Sequence, residues 1–482
     1  MNTMIVLTKR PFLRSLLLAI LLLLSVGLYA VLSPLALPVE SLTIPFVIAW
    51  MIIFIPYFVA CGLVLMTRVE TTQRRWFFIE MSIILFGALL FRVMLLPQIP
   101  NLSHDSWRYL WDARVILHGY SPYINAPNNP IYKPLQDALI YGNSRFRNVP
   151  TVYPPVAEYV YVLSYMIAPS NLFFLKLLFV LMDFGTSCII AIVLARRGLD
   201  PRRTILYAWC PLPIVEYAIN GHVDALTVVL IALVLLVATS PNVEKRSMRI
   251  LLGFLIALAT LTKFYPILLL VAVVRRRDYL LVLTCFATII VCYVPFLILG
   301  HGQVLGFFSI YADEQGLNEG VVPLFIQWVI SDSLHMSGSI TLLVQRGVDV
   351  LLAVPIIALV FIQRLRERMS IEMAGLILTG LVYAVSPHIF PWYTPALLLF
   401  IPLLVHPLWM RHEGAIQWSG KGIAMAATWY FACASIAGYF FSYTLDWMPY
   451  YIFVYDVVVL LLAIAGCIAM FAFRNKGTSL IA

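Results

Sequence analysis

Residues 103–112 read Ser103–His104–Asp105–Ser106–Trp107–Arg108–Tyr109–Leu110–Trp111–Asp112. They lie in a polar stretch that runs from about Pro100 to Pro155 and closes with Thr151–Val152–Tyr153–Pro154–Pro155. The chain on both sides of that stretch is apolar. Of its 482 residues 62% are hydrophobic and 11% charged, where a soluble domain carries about 25% charged residues. Mean hydropathy is +0.93. Apolar runs of about 20 residues recur, the length that crosses a bilayer as helix, and the short alternating segments of an outer-membrane barrel are missing. The class is an all-α polytopic membrane protein. Residues Met1 to Pro34 read as a retained first span, because they are long and apolar and have no small-residue cleavage site.

The formal charge is +9, yet its placement does not suit nucleic acid. Lys and Arg cluster in short runs between apolar segments: Lys9/Arg10/Arg14, Arg68/Arg74/Arg75, Arg196/Arg197/Arg202/Arg203, Lys245/Arg246/Arg249, Arg275–Arg277 and Arg364/Arg366/Arg368. Such runs mark cytoplasmic loops. The cysteines at 61, 188, 210, 285, 292, 433 and 467 fall in apolar segments and read as small buried hydrophobes.

Holding every basic cluster inside gives one path. Spans at 13–34, 42–66 and 77–97 lead out to an external loop at 98–171, and 172–195 returns. Then 204–218 and 222–239 cross, 250–263 and 265–275 form a short pair, and 279–299 leads to a second external loop at 300–338. The spans 339–362, 371–387, 389–410, 421–442 and 450–472 follow and leave the C-terminus cytoplasmic. Residues 156–168 are too apolar for a loop and too short for a span, so they read as a half-inserted helix on the outer face. The parts are an N-terminal pair of helices of unassigned role (1–76), a module at 77–300 and a C-terminal module at 301–482.

Polar side chains at membrane depth are functional hypotheses by default, and most of them fall at the outer side. Asp105 reads as an N-cap, as a base, or as both. Asp112 reads as the partner of Arg108 in a surface i,i+4 pair or as part of a site. Trp107, Leu110, Trp111, Val115 and Ile116 form the expected lipid-facing stripe of an interfacial helix. Asn220–Gly221–His222–Val223–Asp224 reads as a tight turn with Glu216 one turn earlier, either a capped turn or a substrate contact. Lys263 is a lone cation among apolar neighbours, snorkelling or aimed at a phosphate. His388 sits in a turn between spans. Asp183 and the Arg346/Asp349 pair read as helix–helix polar contacts. No GxxxxGK[ST], HExxH, CxxC or GxSxG pattern occurs.

The order of motifs carries a resemblance. It runs from Asp105 through Tyr109–Leu110–Trp111–Asp112, Gly119–Tyr120–Ser121–Pro122–Tyr123 and Tyr153–Pro154–Pro155. Leu206–Tyr207–Ala208–Trp209–Cys210–Pro211–Leu212, Glu216, Gly221–His222–Val223–Asp224, Thr262–Lys263–Phe264–Tyr265–Pro266, His388 and Pro391–Trp392–Tyr393 follow. Over about residues 77–400 the chain resembles the GT-C superfamily of polytopic glycosyltransferases. Within that superfamily it is most similar to the polyprenyl-phosphate-mannose-dependent mannosyltransferases of glycosyltransferase family 87. The resemblance implies a GT-C fold of about 12–14 membrane helices, with amphipathic helices in the first external loop. It implies an enzyme of the inner (plasma) membrane that moves a sugar, mannose by analogy, from a polyprenyl-phosphate donor to a lipid or glycan acceptor. The implied transfer would be inverting and would take place on the external, periplasmic face. Asp105 would be the general base. Lys263, His388 and Arg108 would hold the donor phosphate. His104, Tyr109, Asp112, Tyr153, Glu216, His222, Asp224, Tyr265, Trp392 and Tyr393 would contact substrate. The single carboxylate of His104–Asp105–Ser106 gives a divalent metal no support, and no cofactor is expected. The rival readings are a transporter or flippase of lipid-linked saccharides, for which no internal repeat is found, and a polymerase of them.

Overall fold

The structure, a computed structural model, describes residues 7–35, 44–67, 73–307, 325–386, 390–405, 409–412, 415–418 and 420–435, with isolated positions 439, 458, 461, 464, 465 and 468. Most of the expected 450–472 span, His388 and part of the second external loop lie outside the described residues.

The described chain is an all-α polytopic bundle with one short hairpin, Trp409–His412 against Ala415–Trp418. Helices α1 (Pro11–Leu35), α2 (Ile44–Met66) and α3 (Arg74–Leu95) precede the loop at 98–171. The loop contains α4 (Asp105–Leu117) and α5 (Pro155–Ile167), and α6 (Leu172–Arg196) follows. Next come α7 (Ile205–Ala208), α8 (Pro211–Ala218), α9 (Asp224–Ala238), α10 (Arg246–Thr260), α11 (Leu269–Val273), α12 (Tyr279–Leu299), α13 (Gly338–Leu365) and α14 (Ile371–Val385). Among the described residues six helices are long and apolar enough to cross a membrane: α1, α2, α3, α6, α12 and α13.

Several expected spans are interrupted. Segment 204–218 breaks at Trp209–Cys210, where Pro211 begins a new helix. Segment 265–275 is a 3-10 turn, Tyr265–Leu268, followed by the five residues of α11. Segment 389–410 contains three short pieces, Pro391–Tyr393, Pro395–Leu398 and Ile401–Leu404. In each case a proline occupies the first turn, where its missing N–H does no harm, and the preceding residue cannot extend the helix before it. Half-helices of this kind are tolerated in a bilayer only where protein covers their free backbone groups.

The structure supplies that cover at α7. The Leu206 carbonyl accepts from the Tyr57 hydroxyl at 2.6 Å. The Ala208 carbonyl accepts from Arg92 Nη1 at 2.8 Å. The Arg92 guanidinium pairs with Asp183 of α6, Nε to Oδ2 at 2.7 Å, with both side chains fully buried. The Tyr207 hydroxyl donates to the other Asp183 oxygen at 2.6 Å, and the Trp209 indole N–H to the Ile84 carbonyl at 2.8 Å. Asp183 therefore has the helix–helix role expected of it.

At the other end of α3, Glu80 accepts from Arg14 Nε and from Arg202 Nη1, both at 2.6 Å and all fully buried. This ties α1 and the loop after α6 to one carboxylate. The remaining core is close-packed apolar surface between α6, α9, α10 and α12. A Cβ on Gly253 of α10 would overlap the Leu281 carbonyl of α12, so the two helices touch backbone to backbone there. Helices α12 and α13 turn most of their residues outward; Leu343 and Leu351 of α13 are 71% and 75% exposed.

The loop at 98–171 departs from the expected amphipathic helix. Helix α4 packs on α5, α6 and the short helix Ile140–Asn143. Trp107, Leu110, Trp111 and Val115, expected to face lipid, are buried in protein. Their aromatic rings fill the space between the loop and the bundle, as in the edge-on contact of Trp111 with Tyr132 and its tilted contact with Tyr141. Helix α5 is shorter than a span: its thirteen residues cover about 20 Å, and Leu163, Met166 and Ile167 at its far end are exposed.

Replacing Asp183 with Asn leaves the Arg92 charge buried without its counter-ion, a loss of about 3–5 kcal/mol. Thermal unfolding in detergent is expected to show a markedly lower transition for Asp183→Asn, whereas Asp349→Asn, on the half-exposed Arg346 pair, moves it little.

Candidate functional site

The loop, the α8–α9 turn, the α10–α11 turn and the Pro391–Tyr393 turn meet at the end of the bundle away from the Glu80 network. Each is placed by a backbone constraint. Helix α5 starts at the Tyr153–Pro154–Pro155 hinge, and the N–H groups of Val156 and Ala157 donate to the Leu261 carbonyl at 3.0 and 3.3 Å. One helix start thus caps the end of α10, directly beside Lys263. The α8–α9 turn passes through Gly221 at φ +68°, where a Cβ would lie 2.7 Å from Cγ of Lys176. Lys176 is itself buried and donates to the Leu96 carbonyl at 2.8 Å and to the Gln98 carbonyl, closing the end of α3 under the turn.

Asp105 is the first residue of α4, with His104 at the cap position and no side-chain capping bond there. The expected N-cap role therefore falls away: the Asp105 carboxylate points into the cluster. Its Oδ2 stands 3.9 Å from His222 Nδ1, and its side chain keeps 16% exposure. Burial pushes the Asp105 carboxyl above the usual carboxylate range, against the pull of the Lys263 ammonium, Ser103, Arg145 and Arg108.

His222 is fully buried. Its Nε2 lies 3.5 Å from Glu216 Oε2, and its ring stacks on Trp392 at 4.0 Å and 12°. Trp392 stacks in turn on Phe390 at 4.5 Å. Glu216 Oε2 also accepts from Asn220 Nδ2 at 3.0 Å and from the Tyr439 hydroxyl at 2.8 Å. Glu216, His222 and Trp392 were expected to contact substrate; in this conformation protein covers the first two completely and all but 8% of Trp392.

Lys263 is not the lone cation that its neighbours in sequence suggest. Its ammonium pairs with Asp224 Oδ2 at 3.5 Å and lies over the rings of Tyr393 and Tyr153, 4.7 and 5.6 Å from their centroids. Cation–π contacts of this kind hold an ammonium while leaving its donors available. Lys263 lines a cavity of about 200 Å³ with Tyr153, Pro154, Tyr265, Tyr383 and Tyr393. Tyr383 donates to the Tyr393 carbonyl at 2.6 Å.

Arg108 and Asp112 lie outside this group. Arg108 Nε pairs with Asp112 Oδ1 at 2.8 Å, and Nη1 donates to the Phe146 and Val149 carbonyls at 2.9 and 3.2 Å. The pair is buried rather than on the surface, and it closes the loop instead of facing the cavity. Glu158 of α5 lies behind it, its Oε1 accepting from Thr151 at 2.9 Å. Burial, and then the neighbouring Asp112, push the Glu158 carboxyl well up, so Asp112 carries the charge opposite Arg108. Tyr109 is a packing residue, stacked on Tyr161 at 4.4 Å and edge-on to Tyr153.

Sequence reading missed Tyr383 and Tyr439. Each is one tyrosine among apolar residues of an expected span, where it looks like an interfacial anchor. It missed Glu158 for a similar reason, as the acidic first turn of an apolar helix. Among the described residues no three His, Cys, Asp or Glu side chains converge as a metal site.

Residues 152–387 match the model of glycosyltransferase family 87. The matched region holds the Tyr153 hinge and the Glu216, His222, Asp224 and Lys263 positions; Asp105 precedes it. No curated protein matches the chain.

Because Gly221 needs φ > 0 and has no space for a methyl group, Gly221→Ala is expected to cost roughly 1–2 kcal/mol from the backbone alone. A lowered thermal transition in detergent checks this, and an unchanged transition would show that the turn relaxes freely.

Proposed function

Since a glycosyltransferase family 87 domain spans residues 152–387, the chain is a glycosyltransferase of the GT-C type, and we propose that its donor is a polyprenyl-phosphate sugar used on the non-cytoplasmic face. The observation that carries the reading is the tyrosine-lined cavity with the Lys263 ammonium in its wall, at the same end of the bundle as the Asp105 carboxylate. An ammonium held by ring faces and one carboxylate suits a phosphate, and tyrosine faces suit a sugar ring. The cavity, at about 200 Å³, is below the roughly 300–1,000 Å³ of drug-sized sites. It has room for a single sugar rather than an oligosaccharide. The prenyl tail of such a donor stays in the lipid.

Transfer then requires two groups. Asp105 accepts the proton of the acceptor hydroxyl as its oxygen attacks the anomeric carbon. The bond from that carbon to the phosphate oxygen breaks, and the electron pair leaves with the phosphate. One displacement inverts the anomeric centre. Lys263 meets the charge that grows on the departing phosphate, the kind of fixed electrostatic stabilisation that is strongest in a water-poor site. The leaving phosphate needs no proton, so a second carboxylic acid of the glycosidase type is unnecessary. Mannose is the proposed sugar and a membrane glycolipid or glycan the proposed acceptor, both on the family resemblance. The orientation follows the positive-inside rule, with the basic loops and the C-terminus cytoplasmic.

Purified protein incubated with polyprenyl-phosphate sugars and lipid acceptors is expected to transfer sugar, and Asp105→Asn to lose about 10²–10⁴-fold in kcat. Undiminished transfer by Asp105→Asn sinks the base assignment; transfer from nucleotide sugars alone sinks the lipid donor. The rate should rise with pH through the raised titration of Asp105, because only the carboxylate can take the proton. Lys263 favours that carboxylate, so Lys263→Met should move the acid limb to higher pH while also raising KM for the donor.

A further inference from the structure

Behind Asp105 lies a group of polar atoms that substrate cannot reach. His222 and Glu216 are fully buried, and both ring nitrogens of His222 and Oε1 of Glu216 have no hydrogen-bond partner among the described residues. An imidazole without a partner in such a place is costly. Its geometry is nonetheless well determined. The ring is clamped face-on to Trp392, with Nδ1 toward Asp105 at 3.9 Å and Nε2 toward Glu216 at 3.5 Å. Glu216 is fixed from behind, where Asn220 and Tyr439 both donate to its Oε2. Hydrogen bonds to the charged form of a carboxylate favour that form.

We propose that the proton removed from the acceptor hydroxyl does not stay on Asp105 but passes to Nδ1 of His222, which Glu216 holds in the Nε2–H tautomer. The inference rests on the glycosyl-transfer reading and concerns what Asp105 does with its proton. Glu216 Oε2 faces Nε2 and, as an acceptor, keeps the neutral ring's proton there, so Nδ1 presents a lone pair to Asp105. As the acceptor oxygen bonds to the anomeric carbon, its proton moves to the Asp105 carboxylate and from there onto that lone pair. The product is an imidazolium between two carboxylates, with Asp105 ionised again. The charges of Asp105 beside Nδ1 and of Glu216 beside Nε2 are what favour that imidazolium. After product leaves, the proton returns to water through Asp105, the only member of the three with exposed surface. Both contacts are longer than hydrogen bonds and have to shorten when substrate closes the site, as is common for catalytic contacts in empty sites. His222 is thus a positioning and proton-storing residue that acts through Asp105, and Trp392 serves it as a clamp.

Two variants and one spectroscopic measurement test this. His222→Phe keeps a ring on Trp392 and removes both nitrogens. Glu216→Gln keeps an oxygen for Asn220 and Tyr439 and removes the charge. With full-length protein in detergent and a polyprenyl-phosphate sugar, both are expected to lose about tenfold or more in kcat, with KM for the donor within about twofold of wild type. In ¹⁵N-histidine-labelled wild type, the His222 ring should be Nε2-protonated, and in Glu216→Gln a mixture of tautomers should appear. Wild-type kcat in His222→Phe, or an Nδ1-protonated ring in the wild type, overturns the inference. If His222→Phe does not fold, the wild-type tautomer decides. If no polyprenyl-phosphate sugar is used at all, the functional reading fails, and the tautomer still decides for or against the Glu216–His222 arrangement.

Discussion

The guanidinium of Arg92, closed against Asp183 between α3 and α6, is the contact on which the site depends. A bilayer offers a broken helix no water for its free carbonyls. The break between α7 and α8 is nevertheless required, because it lets a short helix end within the bundle and turn back as α9. Arg92 makes the break tolerable by donating to the Ala208 carbonyl while its charge is neutralised by Asp183, with Tyr207 on the second oxygen. Tyr57 and Trp209 complete the cover. Position Glu216, His222 and Asp224 all follow from where α8 is aimed.

The two ends of α3 do different work with similar chemistry. At one end Glu80 gathers Arg14 and Arg202 into a buried three-membered network. Helix α1 is fastened there, and α2 is fastened through Tyr57, so the N-terminal helices are packed into the body that carries the site. At the other end Lys176 closes the backbone of α3 and supports the Gly221 turn. The charges there are left incompletely matched: Asp105 keeps exposed surface, Lys263 has one carboxylate and two ring faces, and the nitrogens of His222 have no hydrogen-bond partner among the described residues.

Much of this was legible in the chain. Apolar length gave the class, the basic clusters gave a consistent path, and the ordered motifs pointed to the family whose model matches residues 152–387. A short helix at 156–168 could be read from its apolar length alone. Asp183 could be read as a helix–helix contact, yet its partner could not, because Arg92 lies 91 positions away and sequence holds no distance. The aromatic stripe of α4 misled for a definite reason. Trp107, Leu110, Trp111 and Val115 repeat at helical spacing, and that spacing is the same whether lipid or protein covers the face. Lys263 was misjudged as a lone cation because Asp224, its partner, belongs to a different turn.

By itself the sequence determined what must be buried, which loops carry charge, and which few residues are polar without an apolar reason. Those properties are local: hydropathy, length and residue type act within one segment. Only the tertiary structure decided the pairing of those residues, since electrostatic and hydrogen-bond energies depend on separations between segments that the chain brings together by packing. Asp105 became the exposed member of a buried Asp105–His222–Glu216 line, Arg108 was committed to Asp112, and Lys263 took its place in a tyrosine-lined wall. None of these outcomes is written in the residues singly; each follows from where interrupted helices are made to stop.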